Sequence, residues 1–84
     1  GPVWLAGERQ FLWLSDRSGW RAVHLVGRDG RVVRQLTRQG VDVLDIVAVD
    51  EAGKSVYVLA AAPDPTQRQV YRASLDGKRW ERVT

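Results

Sequence analysis

Three residues in the first half of the chain have the chemical types of a hydrolytic triad. Ser15, Asp16 and His24 supply a hydroxyl, a carboxylate and an imidazole. A working triad also needs its nucleophile on a strained turn beside an oxyanion hole, typically within Gly-x-Ser-x-Gly. That motif is absent from the sequence. We therefore predict that Ser15 and Asp16 form a turn at a strand end, that His24 is a packing residue, and that no residue is catalytic.

Metal and cofactor sites are not predicted either. Cysteine is absent and histidine occurs once, whereas a structural zinc site needs four ligands and a catalytic one needs three. Asp42, Asp45 and Asp50 either line a central channel or form the polar face of an inner strand, and the second alternative is favoured. The glycines close turns that no helix follows, so they do not form a phosphate-binding loop.

The charges and the aromatic residues give no sign of nucleic acid or membrane as a partner. The net charge is +3, but the arginines are scattered singly along the chain, which is typical of a solvated surface. The four tryptophans could stack on bases, yet Trp13 lies within an apolar strand, which favours packing between sheets. No apolar run approaches the roughly 20 residues of a membrane helix. Without cysteine, redox chemistry does not indicate a compartment.

Short runs rich in β-branched and aromatic residues dominate the chain and predict an all-β fold. Asp29-Gly30 and Asp76-Gly77 lie between such runs and suit tight hairpins. Residues 16–19 predict a longer loop and residues 63–66 a rigid, proline-rich one. The runs Phe11–Leu14 and Val56–Leu59 are apolar at consecutive positions, so both faces of their sheets must be covered.

The two halves of the chain repeat each other. Residues 10–37 align with residues 55–84, with an offset of 45 positions that becomes 47 after the proline-rich loop. A period in the mid-forties with four strands per repeat is typical of β-propeller blades. We predict two four-stranded antiparallel sheets: a blade over residues 3–38 and a second over residues 39–84, joined near residues 38–40. Residues 1–2, Gly-Pro, are predicted to be a protease-cleavage scar.

The repeat also predicts where each strand begins and ends. The first blade is expected to contain residues 3–5, 10–15, 21–27 and 31–36. The second is expected to contain residues 41–49, 55–61, 68–75 and 79–84.

Four strings in the sequence, FLWLSDRSGW, RVVRQLT, VDVLDIVAVDEAG and PDPTQRQVYRASLDG, resemble one family. It is the N-terminal β-propeller of the dipeptidyl peptidase IV branch of the prolyl oligopeptidases. The resemblance implies an eight-bladed propeller that caps a separate α/β-hydrolase domain, of which this chain would supply two blades. No position matches a catalytic or substrate-binding residue of that family, so none is carried over.

The chain departs from the family pattern at three places: Ala22-Val23-His24 stands where His-Leu-Tyr is usual, Leu59 where Thr is common, and Ala60-Ala61-Ala62 where a polar or acidic residue usually precedes Pro63. Natural drift and redesign of exposed blade faces in an engineered protein both remain open as explanations.

Two classes of function remain open, and neither is an enzyme. The first is a non-catalytic structural module that assembles into a closed propeller ring of identical copies. Eight blades would require four copies, and a dimer with exchanged strands is the next alternative. The second class is a propeller module that binds a peptide or another small ligand. The sequence indicates no cofactor, organism or cellular location.

Overall fold

Eight β-strands account for the regular structure of the chain, and the all-β prediction is confirmed. The computed structural model describes residues 2–17, 19–61 and 66–84, without the side chain of Arg17. No helix in these ranges is long and apolar enough to cross a membrane. The strands are β1 (Val3–Trp4), β2 (Gln10–Arg17), β3 (Trp20–Gly27), β4 (Val32–Gln35), β5 (Val43–Asp50), β6 (Ser55–Ala61), β7 (Arg68–Ser74) and β8 (Trp80–Arg82).

The strands form two separate four-stranded sheets, each a simple meander. The first sheet has the order β1-β2-β3-β4 and the second has the order β5-β6-β7-β8. Every pair is antiparallel and joins strands that are consecutive in sequence. Two such sheets are the architecture of two propeller blades, as the sequence predicts.

Strand ends differ from the sequence prediction at several places, most clearly after Leu14. Ser15 and Asp16 do not form a turn: they pair with Ala22 and Arg21 as part of β2. The expected longer loop over residues 16–19 is therefore a two-residue connection, in which Gly19 adopts a φ of 79°. Positive φ is nearly free of steric cost only for glycine, so Gly19 permits this tight hairpin.

The outermost strands are shorter than predicted. β4 covers residues 32–35 and β8 covers residues 80–82. After each strand one backbone bond still reaches the neighbouring strand, from the Leu36 N–H to the Val23 carbonyl at 2.9 Å and from the Val83 N–H to the Val70 carbonyl at 2.8 Å, without a regular ladder. Of the predicted proline-rich loop over residues 63–66, only Thr66 lies among the described residues, and Gly1 of the predicted scar also lies outside them.

The internal repeat extends to individual hydrogen bonds. The Val23 N–H donates to the Thr37 hydroxyl at 3.2 Å, and at the equivalent position the Val70 N–H donates to the Thr84 hydroxyl at 2.9 Å. The two Asp-Gly turns match as well. The Asp29 carboxylate accepts from the Arg31 N–H at 3.0 Å, and that of Asp76 accepts from the Lys78 N–H at 2.9 Å. Equivalent positions can therefore be compared directly between the sheets.

The core lies between the two sheets and uses one face of each. Because side chains alternate along a strand, Leu12 and Leu14 mark one side of the first sheet, called here its front face. Their equivalents Tyr57 and Leu59 mark the front face of the second sheet, and the opposite sides are the back faces. The front face of the first sheet packs on the back face of the second, with a buried cluster of Leu5, Leu12, Val23, Leu25, Leu36, Val43, Val56, Val58 and Ala73.

Polar contacts connect the sheets around this core. The Arg34 Nη1 donates to the Leu75 carbonyl at 2.9 Å, and the Ala6 N–H donates to the Glu51 carboxylate at 2.6 Å. These bonds lie at different places around the interface, so they fix the orientation of one sheet on the other while the apolar cluster supplies most of the stabilisation.

The first prediction concerns this cluster. Leu12→Ala removes a side chain that is 0% exposed and should lower the free energy of unfolding by about 2–5 kcal/mol, because it deletes buried methyl groups and leaves a cavity. Val47→Ala, at a residue 54% exposed, is the control and should change it by less than about 0.5 kcal/mol. Urea unfolding at one fixed protein concentration measures both variants, and equal effects would contradict this core.

Candidate functional site

The structure brings two of the three triad residue types together but leaves the third apart. The Ser15 Oγ lies 3.3 Å from the His24 Nδ1, and His24 is 7% exposed, in agreement with its predicted packing role. Asp16 is the next residue on the same strand, so its side chain projects from the opposite face. A carboxylate there is not placed to orient His24, and Ser15 sits in a regular strand instead of on a strained turn.

The three aspartates of the second half do not converge. The Asp42 carboxylate accepts from the Arg21 N–H at 3.1 Å and from the Arg21 Nε at 3.4 Å. Asp50 accepts from the Gly53 N–H at 2.9 Å within a turn, and Asp45 is exposed on β5. Within residues 2–17, 19–61 and 66–84, no three His, Cys, Asp or Glu side chains are close enough to hold a metal ion.

The back face of the first sheet is open and aromatic. Trp4 and Phe11 are adjacent, with ring centroids 4.8 Å apart, and Phe11 and Trp13 meet edge to face at 6.4 Å. Trp4 is 46% exposed and Trp13 is 42% exposed. We call these three residues the aromatic cluster. They line up along one side of the chain and have no covering sheet within it.

The predicted packing of the tryptophans between sheets therefore holds, within the chain, for Trp80 alone of the four. Its ring stacks on Tyr71 at 4.5 Å and 10° and packs against the core cluster. Trp20, like Trp4, is 46% exposed. Within the described residues, no sheet covers Trp4, Trp13 or Trp20. The sequence indicated only that Trp13 lies in an apolar strand, which does not decide the face that its side chain occupies.

Equivalent positions show what kind of surface the aromatic cluster is. Phe11 and Trp13 occupy the places that Val56 and Val58 occupy in the second sheet, as the strand registers show. Val56 and Val58 are both 0% exposed, because the first sheet covers them. At these two positions the open back face thus carries larger apolar side chains than the matching, covered face does.

The front face of the second sheet is the other open surface. It presents Tyr57, Leu59, Val70 and Arg72, all partly buried, where the first sheet has a closed core. The Arg72 Nε donates to the Ser55 hydroxyl at 3.0 Å. A cavity of about 480 Å³ beside this face is lined by nine residues, among them the cations Lys54, Arg72 and Arg79.

The sequence predicted apolar residues on both faces of each sheet but not which residue types occupy the two open faces. Consecutive apolar residues in Phe11–Leu14 and Val56–Leu59 indicate sheets that need covering on both sides. The sequence analysis did not single out Arg72. The repeat alignment nevertheless makes it the equivalent of Leu25, so a charged residue stands at a position that is part of the core in the first sheet. The contact between Arg21 and Asp42 had no sequence signal, because it depends on how the two sheets dock.

Comparisons with known proteins agree with the geometry. The family model described as dipeptidyl peptidase IV (DPP IV) N-terminal region matches residues 2–84. Dipeptidyl peptidase 4 of Trichophyton rubrum is 33% identical over 72 residues, which cover 86% of this chain and 9% of that protein. Probable dipeptidyl peptidase 4 of Aspergillus fumigatus is 30% identical over 74 residues, covering 88% and 10%.

A solved structure matches at the level of the fold. The crystal structure of Porphyromonas gingivalis dipeptidyl peptidase 4 aligns with a TM-score of 0.83 at 26% identity, over 99% of this chain and 11% of that one. The chain spans about a tenth of the length of the relatives it matches.

The second prediction concerns Asp42. Hydrogen bonds from the Arg21 backbone and side chain lower the pKa of Asp42 below its ordinary 3.8. A lowered pKa stabilises the fold above the unfolded value, and that stabilisation is lost as the pH falls through the folded pKa. Asp42→Asn should therefore lower the free energy of unfolding by about 1 kcal/mol at pH 7.

The pH dependence separates this effect from a general loss of packing. The difference between Asp42→Asn and the wild type should be constant down to about pH 3.8 and shrink only below it. Asp45→Asn, at the exposed aspartate of β5, is the control. Urea unfolding at several pH values measures the difference, and a gap that stays unchanged in strong acid would contradict the assignment.

Proposed function

Because the chain belongs to the family of dipeptidyl peptidase IV N-terminal regions, we propose that it works as a non-catalytic structural module that assembles into a closed β-propeller ring. One observation carries the proposal. Phe11 and Trp13 of the aromatic cluster stand at positions whose equivalents, Val56 and Val58, are 0% exposed in the second sheet. A surface of that kind requires another sheet on top of it, and in a solution of this chain that sheet comes from a second copy.

The geometry of the contact favours a ring. Within the chain, the front face of the first sheet covers the back face of the second sheet. The front face of the second sheet is its equivalent, so it fits the open back face of the first sheet in the next copy. This contact joins two different surfaces, and such heterologous contacts close into rings when the rotation allows. Two sheets per copy and the eight blades implied by the family resemblance together give four copies, with a strand-exchanged dimer as the next alternative.

The free energy available from such a contact is large. If each open face buried about 400 Å² of apolar surface, at about 25 cal/mol/Å² it would contribute about 10 kcal/mol as an upper bound. Even half of this is comparable with the whole stability of a small domain, about 5–15 kcal/mol.

The non-catalytic part of the proposal is supported by the position of the candidate residues. Ser15 contacts His24 from a regular strand, and Asp16 projects from the other face. The relatives are named as peptidases, but this chain corresponds to about a tenth of each, and no residue in it is assigned to their chemistry.

A binding module is the second candidate, and the cavity of the second sheet favours it. Its lining includes three cations, Lys54, Arg72 and Arg79, and two acids, Asp76 and Glu81. A ligand held there would carry a carboxylate or another anionic group, as an acidic peptide does. A module of this kind would function as a monomer, so the oligomeric state discriminates between the two candidates.

The third prediction is the mass in solution. Four copies of the 9.5 kDa chain give about 38 kDa, and light scattering after size exclusion should find this value. Trp13→Glu places a carboxylate in the middle of the open back face and should reduce the mass toward one chain. Val47→Glu is the control, since Val47 is 54% exposed and lies in a register shift of β5.

Each other outcome has a definite meaning. A wild-type mass of one chain would overturn the ring, and a mass of two would favour strand exchange. Far-ultraviolet circular dichroism must show that Trp13→Glu keeps its β-structure. If it does and the mass remains that of four copies, the back face is not the contact.

The fourth prediction is the absence of peptidase activity. A chromogenic dipeptide substrate should show no turnover above buffer at any concentration of the chain. Turnover that co-purifies with the protein and disappears in Ser15→Ala would contradict the non-catalytic assignment, and Ser74→Ala controls for a general effect of removing a serine.

A further inference from the structure

This inference rests on the proposed ring and names the contact by which one copy recognises the next. It begins with Arg72, which stands on the open front face at the position equivalent to Leu25. The registers establish this, because Leu25 pairs with Leu12 and Arg72 pairs with Tyr57. Leu25 is 2% exposed within the core. The open front face therefore carries a cation where the closed interface carries a buried leucine.

The face that would cover Arg72 is suited to a cation. Within the chain, Leu25 shares one buried cluster with Val56 and Val58. The equivalents of these valines are Phe11 and Trp13, which belong to the aromatic cluster. An interface between copies with the same geometry thus places Arg72 on Phe11 and Trp13 of the next copy. A guanidinium within about 6 Å of an aromatic ring face is attracted to it, most strongly to tryptophan.

Arg72 is held ready for such a contact. Its Nε donates to the hydroxyl of Ser55, which is itself 3% exposed. An N–H bond of a guanidinium lies in the plane of the group, so this hydrogen bond leaves the flat faces available for stacking. The side chain is therefore partly ordered before binding, which lowers the entropy lost on association.

Charge complementarity points to a second copy as the partner. Across the closed interface the Arg34 Nη1 donates to the Leu75 carbonyl at 2.9 Å. The equivalent of Arg34 is Glu81, because Arg34 pairs with Leu25 and Glu81 pairs with Arg72. The equivalent of Leu75 is Arg28. The same geometry between copies brings the exposed Glu81 next to the exposed Arg28. A carboxylate cannot donate to the Arg28 carbonyl as Arg34 does to the Leu75 carbonyl, so the attraction between these residues involves the guanidinium of Arg28.

We propose that Arg72 of one copy stacks on Phe11 and Trp13 of the next, with Glu81 beside Arg28, and that this contact makes the front face select the aromatic back face of another copy. The interface within a chain thus has an aliphatic buried cluster, with the Tyr71–Trp80 stack packed against it, whereas a cation–aromatic contact joins the chains.

Two blocked variants allow this contact to be measured alone. A front donor carries Trp13→Glu, which blocks its back face and leaves Arg72 intact. A back donor carries Leu59→Glu, which blocks its front face and leaves the aromatic cluster intact. Neither variant can continue a ring, so a mixture of the two forms one interface only, whose Kd can be measured by titration calorimetry.

Arg72→Gln in the front donor should weaken binding by about fivefold or more, and Arg72→Lys should weaken it less. When the back donor carries Trp13→Leu, the effect of Arg72→Gln should fall below about twofold, because the ring that attracts the cation is gone. Arg31→Gln in the front donor is the matched control. It removes the same charge at a side chain that is 89% exposed in a turn of the other sheet.

The outcomes separate the two proposals. If folded donors do not bind each other, the contact between copies is wrong, and both the ring and this inference fail. If the donors bind but Arg72→Gln acts no more strongly than Arg31→Gln, the ring survives and the Arg72 contact is overturned. The same conclusion follows if Arg72→Gln acts equally whether or not the back donor carries Trp13→Leu.

Discussion

The requirement to cover apolar side chains on both faces of a sheet governs the structure of this chain. Strand β2 places Leu12 on one face and Trp13 on the other, and strand β6 does the same with Val58 and Leu59. One pairing of two sheets satisfies half of this requirement by burying one front face and one back face. The remaining two faces keep their apolar residues partly or largely exposed to water. This uncovered apolar surface is the feature on which the proposed function is based.

The internal repeat makes the closed interface and the two open faces comparable residue by residue, and they differ in chemistry. The buried cluster of the closed interface consists of aliphatic residues such as Val23 and Val56, both 0% exposed, with the Tyr71–Trp80 stack packed against it. The open faces carry aromatic rings on one side and Arg72 on the other. In the proposed ring, this difference would disfavour an exchange of partners between the two kinds of interface, because each face would be best matched by only one other face. The two halves thus share one backbone arrangement, and their side chains distinguish the closed interface from the open faces.

The features predictable from the sequence were those determined by neighbouring residues. Runs of β-branched and aromatic residues, Asp-Gly turns and the period of the repeat were sufficient for eight strands in two sheets. Ser15 and Asp16 were placed wrongly in a turn, because residues 15–19 are all polar or small and resemble a loop, whereas only two of them connect the strands. The partial exposure of Trp4 and Trp13 and the Arg21–Asp42 bonds depend on the docking of one sheet on the other. That docking is a property of packed surfaces and has no counterpart in local sequence.

The connection of every strand to its sequence neighbour also determines how the chain can fold. All ladders in both sheets close through short loops, so little chain entropy is lost before backbone hydrogen bonds compensate for it. Topologies with such local contacts fold faster than those that pair distant strands. Each half can therefore form its meander independently. The slow, non-local step is then the docking of the two sheets through residues such as Leu12 and Val58. Mutations within the turns should chiefly affect the formation of each meander, whereas mutations in the core cluster should chiefly affect the docking of the two sheets.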